Sequence, residues 1–109
     1  MKSVRILLKG DAKKSYEKLK KRKDPLAEDI LRSFDIKKEK LRQNPQLGNA
    51  IAKQKIPKEL KKLGITNLYR IELTHAWRML YSIEGNAIEI YIFILTIADH
   101  KGYDGKMKY

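Results

Sequence analysis

Isoleucine recurs at every second position from Ile88 to Ile94, and the apolar run continues to Ile97 with Tyr91, Phe93 and Leu95 between. That period of two belongs to a β-strand and not to a helix. It predicts a long strand over residues 87–97 with one face of isoleucine. Two shorter strands are predicted before it, Leu68-Tyr69-Arg70-Ile71-Glu72-Leu73 and Trp77-Arg78-Met79-Leu80-Tyr81-Ser82-Ile83. Gly85-Asn86 has the composition of a two-residue hairpin turn, with Gly supplying a positive φ. Such a turn pairs Ile83 with Ile88, Tyr81 with Ile90, Met79 with Ile92 and Trp77 with Ile94. A loop centred on His75 pairs Leu73 with Trp77, Ile71 with Met79 and Tyr69 with Tyr81. All these residues share one face. The other face receives Arg70, Glu72, Arg78, Leu80, Ser82, Glu89, Tyr91 and Phe93. A slip of one residue would exchange the two faces, so the agreement of both hairpins argues for the pattern.

Upstream, Val4-Arg5-Ile6-Leu7-Leu8 reads as a short strand. A helix is predicted from about Ala12 to Arg22, with Asp11 as its N-cap. Asp24-Pro25 has the form of an N-cap and first residue of a second helix. That helix carries Ala27, Ile30, Leu31, Phe34 and Leu41 on one stripe and ends at Asn44-Pro45. The link at Lys23-Asp24 is short enough to make the pair an antiparallel hairpin. Residues 46–67 are broken by Gly48, Pro57 and Gly64, with a helical turn predicted near Lys58–Leu63. The isoleucine face must be covered, and only the two helices can cover it. The expected architecture is α+β, a mainly antiparallel four-stranded sheet with an N-terminal helical hairpin packed on one face. The 109 residues form a single domain, 1–109.

The chain lacks cysteine, which excludes disulfides and thiolate metal sites. No apolar run approaches the roughly 18 residues of a membrane span. Met1-Lys2-Ser3 leads into a strand and not a signal sequence, so a cytoplasmic protein is expected. The net charge is +12. Residues 1–23 hold ten Lys/Arg against two Asp/Glu, and residues 48–67 hold five against one, while the rest is balanced. Clustered positive charge favours a polyanion, since each neutralised phosphate releases counterions. A lysine-rich solvated surface is the other reading.

Three side chains invite chemistry. Arg78 lies opposite Glu72, with Arg70 about one diagonal away on the same face. Arg78 is either half of a cross-strand ion pair or a phosphate clamp, for which a planar guanidinium suits bidentate contact. His100 follows the last strand beside Asp99, Lys101 and Tyr103, where an imidazole can move a proton near neutral pH. Tyr103 either stacks on a base or packs the tail onto the sheet. His75, at a hairpin tip, reads as surface. The register pairs Arg78 with Phe93, so a straight strand would carry His100 roughly 23 Å away. The tail is therefore expected to turn back after Ala98, with Gly102 assisting, and to fold over the mixed face beside Arg70 and Arg78.

The helical hairpin, Asn67-Leu68-Tyr69-Arg70, Ala76-Trp77-Arg78-Met79-Leu80-Tyr81 and the closing Asp99-His100-Lys101-Gly102-Tyr103-Asp104 together resemble the RelE/ParE toxin superfamily, in particular its RelE-like branch. The resemblance covers essentially the whole chain. It implies the toxin of a type II toxin–antitoxin pair, a ribosome-dependent mRNA endonuclease that needs no metal or other cofactor. The substrate's 2′-OH attacks the adjacent phosphate and expels the 5′-oxygen of the next nucleotide. By position, Arg78 matches the arginine that stabilises the phosphorane, and Arg70 a supporting basic residue. His100 and Tyr103 match the terminal acid/base and stacking region, where Lys101 is the accompanying cation. Lys53 and Lys55 match the basic loop that meets RNA backbone. Glu59 matches only approximately a glutamate base of some members. Lys13, Lys14, Lys18, Lys20 and Lys21 are expected to add non-specific backbone contacts. The implied partners are mRNA on the ribosome and an acidic, partly disordered antitoxin that folds on the open sheet face. The ParE-like branch inhibits a topoisomerase instead, and a non-catalytic basic RNA-binding module is a third reading, because fold does not fix function.

Overall fold

A computed structural model describes residues 2–107, so Met1, Lys108 and Tyr109 lie outside the described residues. The chain runs β1 (Ser3–Leu8), α1 (Gly10–Arg22), α2 (Pro25–Gln43), β2 (Asn49–Ala50), α3 (Lys58–Lys62), β3 (Tyr69–Glu72), β4 (Arg78–Gly85), β5 (Glu89–Ala98) and α4 (His100–Met107). Short 3₁₀ turns occupy Lys53–Lys55 and Thr74–Ala76. The fold is α+β, with α1 and α2 packed on a mostly antiparallel sheet. The sheet has five strands in the order β1-β5-β4-β3-β2, and β1 alone runs parallel to its neighbour. No helix among the described residues is long and apolar enough to cross a membrane.

The helical hairpin forms where expected. Asp24 caps α2 by accepting from the Ala27 amide at 2.8 Å, with Pro25 in the first turn. The Arg22 guanidinium, and then the Ala27 amide, hold the Asp24 carboxyl below its usual range. Lys23 adopts φ 55° as the reversal between α1 and α2. Asp11 is not the cap of α1. The helix starts two residues earlier at Gly10, Lys9 is the N-cap without a side-chain bond, and Asp11 sits in the first turn paired with Lys106.

The main core is Ala12 and Leu19 of α1 and Ala27, Ile30, Phe34 and Leu41 of α2, packed against Ile71, Met79, Tyr81, Ile92, Ile94 and Ile97. The β3–β4 register is the predicted one, with Tyr69 opposite Tyr81, Ile71 opposite Met79 and Glu72 opposite Arg78. The β4–β5 register is not. Ile83 pairs with Ile92 and Tyr81 with Ile94, four residues further along β5 than a two-residue loop allows. The loop is Asn86–Ile88, organised by the Asn86 side chain, which accepts from the amides of Ile88 and Glu89 at 2.8 and 2.9 Å. Gly85 is not at positive φ. It is a strand residue whose missing Cβ would stand 2.7 Å from the Glu89 carbonyl oxygen.

An even shift keeps each side chain on its face, so Ile92 and Ile94 are buried as expected and Ile90 packs at the margin. Ile88 falls in the loop and is 73% exposed instead of facing the helices. A bulge then changes the face. Tyr81 opposes Ile94 while Leu80 opposes Thr96, which leaves Leu95 as the extra residue. Beyond it Ile97 enters the main core and Arg78 stands opposite Ala98, not Phe93.

The fifth strand, β2, lies in the stretch that sequence leaves as loop. Two residues carry no periodicity, and what permits their pairing is Gly48, where a Cβ would stand 2.9 Å from both the Arg70 carbonyl oxygen and the Tyr81 hydroxyl. The mixed face is not fully open either. Leu80, Ile56, Leu68 and Tyr103 form a second buried cluster that seats α4 and the segment around Lys53–Lys55.

Tyr81 ties these parts together. Its hydroxyl donates to the Pro45 carbonyl at 2.8 Å and accepts from the Gly48 amide at 2.9 Å. Tyr81→Phe leaves both backbone groups without that partner and is expected to cost about 1–3 kcal/mol in urea unfolding with an unchanged slope. Burial raises the Tyr81 phenol above its ordinary 10.0. Its contribution is therefore complete below that pH and is lost as pH rises past it, because the unfolded chain releases the proton first. Stability should fall on that alkaline limb, less steeply in Tyr81→Phe. Tyr91, raised by its bond to Glu89, keeps part of the slope in both proteins. A variant with wild-type stability and slope would contradict this role.

Candidate active site

The register fixes the site. Arg78 opens β4 and Ala98 closes β5 directly opposite, so His100 lies two residues past the partner of Arg78. No long return of the chain is needed. Asp99 immediately precedes α4, its side chain accepting from the Gly102 amide at 2.8 Å and its carbonyl from the Tyr103 amide at 2.8 Å. The tail is thus a helix where a looser turn was expected. Its two glycines weaken the helical signal, whereas Tyr103 buried against Leu80 supplies the tertiary anchor.

Four predicted residues meet there. Arg78 Nη1 lies 2.7 Å from His100 Nδ1. Arg78 Nε donates to the Glu72 carboxylate at 3.1 and 3.3 Å. The Arg78 guanidinium carbon sits 5.1 Å from the centroid of the Tyr103 ring, a cation–π contact. Arg70 Nε approaches Glu72 at 3.5 Å from the other side. The Arg78 side chain is only 19% exposed. Tyr103 is buried, so its ring seats Arg78 and docks α4, and it is not available for stacking on a base in this arrangement.

The contacts determine the imidazole tautomer. A guanidinium only donates, so Nδ1 must present its lone pair to Arg78. His100 Nε2, 3.2 Å from Asp104 Oδ2, then carries the hydrogen. In this arrangement the Nε2 hydrogen points toward a carboxylate one helical turn away. Asp104 and Glu72 are the partners that sequence reasoning underused. Glu72 was visible as the cross-strand neighbour of Arg78, and Asp104 only once residues 100–107 are helical.

The other predicted residues are distributed differently. Lys101 is exposed on α4 beside His100. Lys53 and Lys55 are exposed on their 3₁₀ turn, and the next residue after it, Ile56, packs with Tyr103 and Leu80, so this basic segment shares the face of Arg78. Lys13, Lys14 and Lys18 are exposed on α1, in the helical layer on the opposite face of the sheet. They do not join the Arg78 cluster, and neither do Lys20 and Lys21. Glu59 lines a cavity of ≈ 300 Å³ with Leu80, Leu95 and Thr96 and makes no ion pair with Arg78 or His100. His75 is on the surface as expected, at φ 57° and 3.2 Å from Asp29.

The assembly offers a guanidinium held on three sides, a second arginine, and an imidazole. That set can neutralise a phosphate and, through the imidazolium form of the ring, protonate a leaving oxygen. Nitrogen NMR of the neutral His100 ring should report a protonated Nε2 and an unprotonated Nδ1, and Arg78→Ala should weaken that preference, with Asp104 left to hold it. The opposite tautomer in the wild type would contradict the Arg78 contact. No protein-family model, curated protein or solved structure matches this chain.

Proposed function

We propose that the chain is a RelE-like toxin, an endonuclease that cuts mRNA on the ribosome and is neutralised by an acidic antitoxin. The observation that carries this reading is the 2.7 Å contact between Arg78 and His100 above the Tyr103 ring. Arg78 and, more than twenty residues later in the chain, His100 and Tyr103 of α4, all singled out by the family resemblance, form one cluster at the sheet end. Arg70 adds a second guanidinium, and the Lys53–Lys55 segment adds positive charge on the same face.

In the proposed reaction the 2′-oxygen attacks the adjacent phosphorus, the P–O5′ bond breaks, and a 2′,3′-cyclic phosphate forms. Arg78 and Arg70 donate to the non-bridging oxygens as charge builds on them. When Arg78 turns from Nδ1 to the phosphate, His100 takes a second proton there; as the imidazolium it gives its Nε2 proton to O5′, is left neutral, and regains a proton from the water that has taken up the 2′-hydroxyl proton. Asp104 orients the ring. Lys101, Lys53 and Lys55 contact flanking phosphates, while Lys13, Lys14 and Lys18 meet RNA from the helical layer. The net charge of +12 suits both the RNA and an acidic antitoxin.

Expressed alone, the protein should arrest translation and leave mRNA fragments with 5′-hydroxyl and 2′,3′-cyclic or 3′-phosphate ends. Arg78→Ala should lower cleavage by about 10²–10³, and His100→Ala by about 10²–10⁴, both with the fold intact. Toxicity that survives both substitutions, with no such ends, would replace this reading with topoisomerase inhibition or simple RNA binding. Affinity for single-stranded RNA should fall with salt at a log–log slope of roughly −0.7 per phosphate neutralised. A salt-insensitive interaction would argue against the basic surface.

A further inference from the structure

Glu72 contacts both arginines of the cluster. Its carboxylate is 3.1 Å from Arg78 Nε and 3.5 Å from Arg70 Nε. The Arg70 Nε atom is buried and has no hydrogen-bond partner among the described residues, so the approach of Glu72 does not satisfy it. We propose that Glu72 occupies, in the free protein, the seat that a phosphodiester oxygen takes in the complex, and competes with substrate for it. This inference rests on the RNA reading above and adds a residue that tunes it.

The argument is one of shape and of unequal anchoring. Carboxylate and phosphate oxygens present the same acceptor geometry to a guanidinium edge. Two such edges converge on the Glu72 carboxylate. Arg78 is fixed by His100 and Tyr103 and is mostly buried, whereas the Glu72 side chain is 52% exposed. When an anion arrives, Glu72 is the group free to swing into water, and the arginines stay. Arg70 then gains an acceptor for its unsatisfied N–H. An ion pair this exposed is modest in strength, so displacement is feasible but not free. A ligand offering one weak anionic group is disfavoured relative to an RNA strand with several contacts. Glu72 thereby sharpens selection without touching the reacting atoms.

The test is a double-mutant cycle on the full chain. Binding of a single-stranded RNA with 2′-O-methyl sugars, which cannot be cleaved, is measured by anisotropy at fixed salt. Glu72→Gln should tighten binding roughly two- to fivefold, the worth of an exposed ion pair. The gain should largely vanish in an Arg78→Ala background, and Glu84→Gln should not reproduce it. Equal gains with and without Arg78, or from Glu84→Gln, would show a general charge effect and overturn the competition. The same variants are titrated with inorganic phosphate, following the Arg78 Nε–H resonance by NMR. If no variant binds RNA but phosphate binds Arg78 more tightly in Glu72→Gln, the RNA reading fails and the competition stands. If RNA binds and neither probe binds more tightly in Glu72→Gln, the competition fails and the RNA reading stands.

Discussion

The pairing of β4 with β5 is the constraint on which the rest of the molecule depends. It carries the isoleucine face that the helices cover, and it decides which end of β5 lies beside Arg78. The bulge at Leu95 changes the face of everything after it. Ile97 closes the main core, Leu80 and Leu95 begin the second cluster, and Ala98 meets Arg78. Bulges of this kind re-aim side chains next to functional sites. Here the result is that α4 starts within contact distance of the first residue of β4.

The second cluster is small, but it holds the site. Leu80, Ile56, Leu68 and Tyr103 bury one side of α4 and of the basic segment. Without Tyr103 in that cluster, neither the face under Arg78 nor the position of His100 would be fixed. The polar residues above it form a chain, Arg70–Glu72–Arg78–His100–Asp104, in which the imidazole accepts from Arg78 and faces the Asp104 carboxylate with its other nitrogen. Each member limits the next, which is how an exposed imidazole acquires a defined tautomer.

Much of this was legible in the sequence. The isoleucine period identified the buried face, Asp24-Pro25 placed the start of α2, and the short turn around His75 gave the β3–β4 register. What failed was the β4–β5 loop. Gly85-Asn86 resembles a two-residue turn, yet Asn86 caps a longer loop through its side chain and Gly85 serves close strand contact. An even-numbered slip leaves the faces unchanged, so the agreement between hairpins could not detect it. The same error exaggerated the distance from Arg78 to His100. The β2 pairing and the helix α4 were hidden for other reasons. Two residues have no period, and a segment with glycines at 102 and 105 becomes helical only because Tyr103 has a buried seat.

The placement of His100 beside Arg78 rests on that register, and cross-strand NOEs measure it directly. Contacts joining Arg78 with Ala98 and Tyr81 with Ile94 are expected, together with a break in the pattern at Leu95. Contacts joining Arg78 with Phe93 and Tyr81 with Ile90 would restore the two-residue turn, move His100 away from the guanidinium and contradict the site.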